Sequence, residues 1–199
     1  MTELIRPADD DQTPEQFARM LIAALDERDG RTREHSDRVA TLARELGLEC
    51  GLSTQELRLL GIAAEMHDIG KIGIPDHVLM KPGGFNADEW EVMKTHPIRG
   101  ERILRAIEQD GMSEVATVVR HHHERFDGSG YPDGIAGTAV PLLSRILSIV
   151  DSYDAMATPR PYHRARTHAE VMAILSKEES QKHDPDLLER FRRSTEKWQ

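Results

Sequence analysis

Cysteine is almost absent from this sequence of 199 residues, in which Cys50 is the single example. One cysteine cannot form a disulfide within the chain and cannot build a cysteine-rich zinc site. Positive charge is also in deficit, because 26 Lys and Arg face 35 Asp and Glu and leave a net charge of −9. Proteins that bind nucleic-acid grooves are normally basic, so we expect no groove binding to DNA or RNA.

Long apolar runs are missing as well. No segment approaches the roughly 18 consecutive apolar residues of a membrane span, and the start, MTELIRPADDD, lacks the apolar core of a secretory signal. We therefore expect a cytoplasmic protein with no membrane association. The length fits one domain. We expect a flexible acidic tail at residues 1–12 and a single domain at residues 13–199.

Strand alternation is not sustained anywhere, whereas signals for the start of a helix recur along the chain. Thr13, Pro14 and Gln16 supply an N-cap, a first-turn proline and a capping-box side chain in order. The same capping-box pattern occurs three more times, at Ser53 with Glu56, Asn86 with Glu89 and Thr167 with Glu170. Glycine and proline mark two longer loops, at residues 69–85 and 127–141. The sequence therefore predicts an all-α fold.

Histidine is the residue in excess, with ten copies. His35 shares the apolar face of its helix, and His122 and His123 continue the apolar face of theirs, whereas the neighbouring His121 does not. His96 is expected to end the helix that contains Trp90 and Met93. Three further chemistry-bearing residues stand in similar apolar contexts, namely His67 and Asp68 at the end of a helix and Asp151 after an apolar run.

Any one of these histidines, taken alone, is best explained as a core histidine bonded to a carbonyl. Together, five imidazoles and two carboxylates would be costly to desolvate in one helical core unless something compensates them. A bound metal does so, and an imidazole and carboxylate set without thiolate suits iron, manganese, nickel or zinc. Seven side chains exceed one four-coordinate site. Two metals about 3.5–4 Å apart, with Asp68 able to bridge, would favour phosphoryl hydrolysis.

Two motifs carry a resemblance to a known family. The run AEMHDIGKIGIPD at residues 64–76 resembles the HD half of HD-GYP domains, and HHERFDGSGYP at residues 122–132 resembles the GYP half. Smaller matching pieces are Thr32 with His35, His96-Pro97, Asp151 with Asp154, and Arg160-Pro161-Tyr162. The similarity covers roughly residues 17 to 192, and the order of the motifs is highly specific.

The resemblance implies an all-α, HD-type helical bundle with a dinuclear metal site in its core and the GYP loop over it. It implies a metal-dependent phosphodiesterase that converts cyclic di-GMP to linear pGpG and, in some members, to GMP. One metal would be held by His35, His67, Asp68 and Asp151, and the other by His96, His122 and His123, with Asp68 bridging. The expected cofactors are two divalent ions, iron or manganese first, with nickel or zinc as alternatives.

The resemblance also implies substrate contacts outside the ligand set. Lys71 would meet the scissile phosphate or assist the leaving oxygen, and Tyr131 would contact the substrate near the metals. Arg160 would bind the second phosphate, because a guanidinium fork suits phosphate. Glu124 and Asp127 would orient the ligands or the loop and would not bind metal.

Two positions depart from the family pattern. Some members bind a third metal through a glutamate four residues before the histidine equivalent to His35, and this chain has Arg31 there, so two metals are expected. His163 stands where Lys or Arg is usual beside the second phosphate. It would be largely neutral near pH 7, which predicts weaker binding of that phosphate or a shifted substrate preference.

Two other functions remain open at this stage. One is a catalytically weak module that binds a cyclic dinucleotide or contacts a signalling partner, although the intact ligand set with Lys71 and Tyr131 disfavours it. The other is a broader HD phosphohydrolase, which the complete GYP half disfavours. About 16 residues precede the first apolar helical residues, so the chain stands alone or is a fragment. Regulation in a chain that stands alone would come from a homodimer, a separate partner, or metal and redox state.

Overall fold

The computed structural model describes residues 13–29, 32–159 and 164–196. Within these residues the fold is all-α, as the sequence predicts, with ten α-helices, two short 3₁₀ helices and no strand. The 3₁₀ helices are Ile69–Gly73 and Gly137–Ala139. The α-helices are α1 (Pro14–Asp29), α2 (Thr32–Glu49), α3 (Thr54–Met66), α4 (Asp76–Leu79), α5 (Ala87–Met93), α6 (His96–Arg105), α7 (Met112–His121), α8 (Leu142–Ala157), α9 (His168–Lys177) and α10 (Pro185–Thr195).

The predicted helix starts are confirmed. Reciprocal capping boxes form at Ser53, Asn86 and Thr167, each with a glutamate three residues later. At the start of α1 the Thr13 N–H donates to Gln16 Oε1 over 2.7 Å. These side chains satisfy backbone N–H groups that have no partner within the helix.

The loop predicted at residues 69–85 is more structured than expected. It contains the first 3₁₀ helix and α4, because Ile69, Ile74 and Val78 are buried there. His96 is the first residue of α6 and does not end the preceding helix, which stops at Met93. The loop at residues 127–141 contains only the second 3₁₀ helix.

The central packing brings distant segments to one place. Helix α2 packs against α3 and α8, and α6 packs against α7 and the first 3₁₀ helix. Their buried faces share one apolar core that includes Val39, Met66, Val119 and Ile149. As a result, the ends of α3 and α7, the start of α6 and the middle of α8 meet beside α2.

The approach of the first 3₁₀ helix to α6 depends on Gly70. A Cβ atom added at this residue would lie 1.9 Å from the His96 carbonyl oxygen and 2.5 Å from the Gly100 backbone nitrogen. Backbone atoms cannot move aside as a flexible side chain can. Glycine at position 70 therefore sets how closely the segment after Asp68 lies against the start of α6.

No helix among the described residues is long and apolar enough to span a bilayer. The cytoplasmic location stays a prediction, as does the division into a tail and a single domain. Residues 1–12 lie outside the described part of the chain.

We predict that Gly70→Ala lowers the free energy of unfolding by ~3 kcal/mol, because its methyl group would overlap backbone atoms in a packed core. Gly61→Ala is the matched control, since Gly61 also lies in a helical segment but has no atom within 4 Å of its added Cβ. Replacing a helical glycine by alanine raises stability by ~0.5–1 kcal/mol. Urea unfolding measures both changes, and a Gly70→Ala protein as stable as wild type would contradict the packing described.

Candidate metal centre

The seven residues predicted as metal ligands lie on separate elements that converge. His35 comes from α2 and Asp151 from α8. The other five lie at helix ends, with His67 and Asp68 after α3, His96 at the first position of α6, and His122 and His123 after α7. Helix termini and tight packing, more than any one helix face, therefore assemble the cluster.

One group consists of His35, His67 and Asp151. One ligand atom from each lies within 4.8 Å of the other two. His35 Nε2 is 3.2 Å and His67 Nε2 is 3.8 Å from the same carboxylate oxygen, Asp151 Oδ1. Two imidazole nitrogens and one carboxylate oxygen thus face a common point.

A second group consists of His96, His122 and His123, whose ligand atoms also lie within 4.8 Å of one another. The Nε2 atoms of His96 and His122 are 3.4 Å apart. The ring of His123 lies 5.0 Å from that of His96 and 3.9 Å from that of His122, between centroids. His96 and His122 are buried and His123 is half-buried.

Asp68 lies between the two groups and faces both. Its Oδ2 is 3.5 Å from His67 Nε2, and its Oδ1 is 3.5 Å from His96 Nε2. The Asp68 residue is 6% exposed. One oxygen is directed at each group, which is the geometry of a side chain able to bridge two cations.

Hydrogen bonds to backbone carbonyls fix three of the imidazoles. In each case the Nδ1 atom bonds to the carbonyl of the residue three positions earlier, which leaves Nε2 directed at the cluster. The pairs are His67 with Ala64 (2.8 Å), His96 with Met93 (2.9 Å) and His122 with Val119 (2.6 Å). An Nδ1–H donor of this kind makes Nε2 a lone-pair donor.

His35 is oriented by side chains that the sequence analysis did not assign. Its Nδ1 lies 2.6 Å from Asp154 Oδ2, and Arg38 donates to both oxygens of that carboxylate, over 2.6 Å from Nε and 3.1 Å from NH2. Each lies three residues after a predicted ligand, Arg38 after His35 and Asp154 after Asp151. That spacing on a helix was the available signal.

Burial and charge decide which of these groups are ionised. Burial lowers the pKa of His96 to about 4 and that of His122 to about 3, so both imidazoles are neutral at pH 7. Burial opposes ionisation of Asp68, but Lys71, His67 and His96 hold its pKa well below the usual range. Burial likewise opposes protonation of His35, but hydrogen bonds with Asp151 and Asp154 raise its pKa to about 9.

The donor set suits a transition metal. Neutral imidazoles with a lone pair on Nε2, carboxylates that remain ionised, and no thiolate are ligands that iron, manganese, nickel and zinc accept. These donors form two groups that could each hold a metal ion, with the Asp68 carboxylate between them. The raised pKa of His35 also shows that this position favours positive charge, because the neighbouring carboxylates of Asp151 and Asp154 stabilise the protonated imidazole.

The predicted substrate residues within the described chain lie at this centre. Lys71 Nζ is 2.5 Å from Asp68 Oδ2, and its side chain is 24% exposed. The Tyr131 ring lies 4.9 Å from the His123 ring, at an angle of 34°. Arg160 and His163 fall outside the described residues, and their roles stay predictions.

The loop that carries Tyr131 is fastened to the end of α7. Glu124 Oε1 accepts hydrogen bonds from the backbone N–H groups of Asp133 (2.6 Å) and Gly134 (3.1 Å). His121, which the helical pattern places away from the predicted metal ligands, donates from Nε2 to Asp133 Oδ2 over 2.9 Å. Arg120 binds the same carboxylate through two contacts of 2.6 and 2.7 Å.

Two other residues shape this loop. Asp127 Oδ1 accepts the Ser129 backbone N–H over 2.9 Å, so Asp127 forms a local turn, consistent with the loop role expected of it. Gly130 allows the chain to pass close to α7, since an added Cβ would lie 2.3 Å from the Arg125 backbone nitrogen. The Tyr131 N–H then reaches the His123 carbonyl over 3.3 Å.

Comparison with known proteins decides the family. The model of the HD domain matches residues 19–187. The chain belongs to the HD domain family. The HD domain here is similar to the cyclic di-GMP phosphodiesterase response regulator RpfG of Xanthomonas campestris, with 41% identity over 85% of this chain and 45% of that protein. It is 37% identical to a cyclic di-GMP phosphodiesterase of Thermotoga maritima, over 82% of this chain and 45% of the relative.

Solved structures share the fold of this HD domain. A cyclic GMP-AMP specific phosphodiesterase of Vibrio cholerae matches with a TM-score of 0.70 at 21% identity, over 90% of this chain and 48% of that one. The HD domain of the phosphodiesterase PgpH of Listeria monocytogenes, in complex with cyclic di-AMP, matches with a TM-score of 0.60 at 18% identity, over 87% and 93%. The chain spans less than half the length of the curated relatives named above.

We predict that Glu124→Ala loosens the loop of this HD domain. The change removes a carboxylate acceptor from two backbone N–H groups, and such bonds contribute about 1.5–3 kcal/mol. Exchange of the Asp133 and Gly134 amides should therefore become about 10- to 100-fold faster, as measured by hydrogen–deuterium exchange. Glu124→Gln keeps an oxygen acceptor and should show a much smaller change. Exchange in Glu124→Ala equal to wild type would contradict the anchoring role.

Proposed function

We propose that this chain is a metal-dependent phosphodiesterase that hydrolyses cyclic di-GMP to linear pGpG, with GMP as a further product to be tested. The observation that carries the proposal is the placement of Asp68, whose two oxygens face two separate groups of imidazoles at 3.5 Å each. The two curated relatives named above support cyclic di-GMP as the substrate. A relative named as a 3′3′-cGAMP-specific phosphodiesterase makes that cyclic dinucleotide the nearest alternative substrate.

The proposed metal ligands follow the two groups. His35, His67 and Asp151 would hold one ion, His96, His122 and His123 the other, and Asp68 would bridge them. Iron or manganese is proposed first, with nickel or zinc as alternatives, because all four accept this donor set. Two such ions would polarise the phosphate and lower the pKa of a water, which is the chemistry that phosphodiester hydrolysis requires.

Lys71 and Tyr131 would act on the substrate. The Lys71 ammonium stands beside Asp68 with part of its side chain in solvent, so an incoming phosphate would meet its positive charge there. The same group can donate a proton to the leaving 3′ oxygen. Tyr131 would border the substrate next to His123, and burial raises the pKa of its hydroxyl, so it is a neutral donor. Arg160 and His163 would contact the second phosphate.

The second candidate function is a catalytically weak module that binds a cyclic dinucleotide or a signalling protein. Such a module would bind its ligand without cleaving it, and the presence of all seven proposed ligands with Lys71 argues against it. The comparisons give no support to a homodimer, which is not part of the proposal.

The proposal is tested by turnover of cyclic di-GMP with protein purified without oxygen and loaded with ferrous iron or manganese. Product analysis by chromatography and metal analysis should use the same samples. We predict that Asp68→Ala lowers turnover at least about 100-fold and lowers bound metal, because one carboxylate serves both positions. Asp110→Ala is the matched control, since Asp110 is exposed in the turn between α6 and α7, at the far ends of these helices from His96 and His122.

Each outcome of this experiment has a defined meaning. Product from the wild-type protein, lost in Asp68→Ala and kept in Asp110→Ala, supports the enzyme. Tight binding of cyclic di-GMP without product from any metal-loaded sample would favour the binding module. An Asp68→Ala protein with full metal content and full turnover would contradict the proposed centre.

A separate prediction concerns Asp154, which holds His35 in place and binds no metal in the proposal. Asp154→Ala should weaken manganese binding about 10- to 100-fold, the usual effect of removing a partner that orients a ligand. Asp154→Asn retains an oxygen acceptor for His35 Nδ1 and should lose less. Calorimetric titration with manganese measures both, and unchanged affinity in Asp154→Ala would show that His35 needs no such support.

A further inference from the structure

Two exposed aromatic rings lie next to the proposed centre and belong neither to the proposed metal ligands nor to the proposed substrate contacts. Phe85 is 37% and Trp90 is 43% exposed. Their rings are nearly parallel, with centroids 6.2 Å apart and an interplanar angle of 21°. Apolar surface of this kind is usually buried, so its exposure in a pair needs an explanation.

The pair is connected to the metal centre through Tyr131. The Trp90 ring meets the Tyr131 ring edge-on at 6.1 Å and 81°, and the Tyr131 ring lies 4.9 Å from that of the proposed ligand His123. Two ring contacts therefore lead from the centre to the exposed pair. In a nucleotide one ribose separates the base from the phosphate. A substrate whose reacting phosphate lies at the proposed centre would therefore place its base outside the centre, where the exposed pair lies.

The position of the pair is held by local structure. Trp90 lies in α5, whose capping box joins Asn86 and Glu89, and Lys81 also binds Glu89 over 2.5 Å. Phe85 precedes the N-cap, and Trp90 is the fourth helical residue, which are the two positions of a hydrophobic staple. A staple explains why these side chains touch. It requires no aromatic rings, no exposed faces and no contact with Tyr131.

We propose that Phe85 and Trp90 form a stacking platform for one purine of the cyclic dinucleotide, an inference that rests on the proposed function. Purines stack on aromatic side chains through their faces, and such stacking contributes strongly to binding of single nucleotides. The platform would raise affinity for purine over pyrimidine substrates. It would not take part in the cleavage step.

The test replaces Trp90 by leucine, which keeps an apolar side chain in the staple and removes the aromatic face. We expect the KM for cyclic di-GMP to rise about 10-fold, with kcat changed less than about 3-fold and with wild-type metal content and Tm. The KM for cyclic di-UMP should rise less, because a pyrimidine stacks more weakly. Trp90→Phe should restore most of the affinity, and Phe85→Leu should give a partial effect. A Trp90→Leu protein with wild-type KM for cyclic di-GMP would overturn the proposal.

Fluorescence separates this proposal from the proposed function. Trp198 is the second tryptophan of the chain, so a Trp198→Phe protein reports on Trp90 alone. Rapid mixing of that manganese-loaded protein with cyclic di-GMP should quench the fluorescence in a saturable way before product forms. Quenching without any turnover would support the platform and contradict the enzyme. Turnover without quenching would support the enzyme and overturn the platform.

Discussion

A buried carboxylate between two groups of imidazoles is the constraint on which the rest of this structure depends. Asp68 is 6% exposed, and each of its oxygens lies 3.5 Å from an imidazole nitrogen of a different group. Bringing it there requires the chain to leave α3 and press against the start of α6, and Gly70 permits that approach because any Cβ would strike the His96 carbonyl. A charge buried in this way is favourable only with compensation. Lys71 and the imidazoles supply part of it, and the proposed metals would supply the rest.

A second set of interactions holds the surroundings of this centre. Carbonyls at the ends of α3 and α7 orient their own histidines, and Arg38 with Asp154 orients His35 across the packing of α2 against α8. Glu124 and Arg120 hold the loop that brings Tyr131 to His123. The chemistry-bearing residues are therefore few, while the residues that fix their positions are spread over α2, α3, α7, α8 and the segment after α7. The chain belongs to the HD domain family, and its fold matches solved structures of phosphodiesterases, which is consistent with this arrangement.

Helical periodicity and capping patterns were sufficient to predict the all-α fold and the starts of α1, α3, α5 and α9. Periodicity also separated His122 and His123 from His121, because the pattern depends only on local geometry. Asp154 and Arg38 could not be assigned in this way, since their contact with His35 arises from the packing of two helices distant in sequence. His96 was placed at the wrong end of a helix, because a histidine before proline marks a boundary without saying on which side it falls. The exposure of Phe85 and Trp90 depends on what the fold leaves uncovered, and sequence alone does not reveal that.

The central claim, that two metals share Asp68, is tested most directly by electron paramagnetic resonance of the protein loaded with manganese. Two ions about 3.5–4 Å apart and bridged by a carboxylate are magnetically coupled. We expect two manganese ions per chain and a multiline spectrum from a coupled pair. One ion per chain, or two ions that give only the six-line spectrum of isolated manganese, would contradict it.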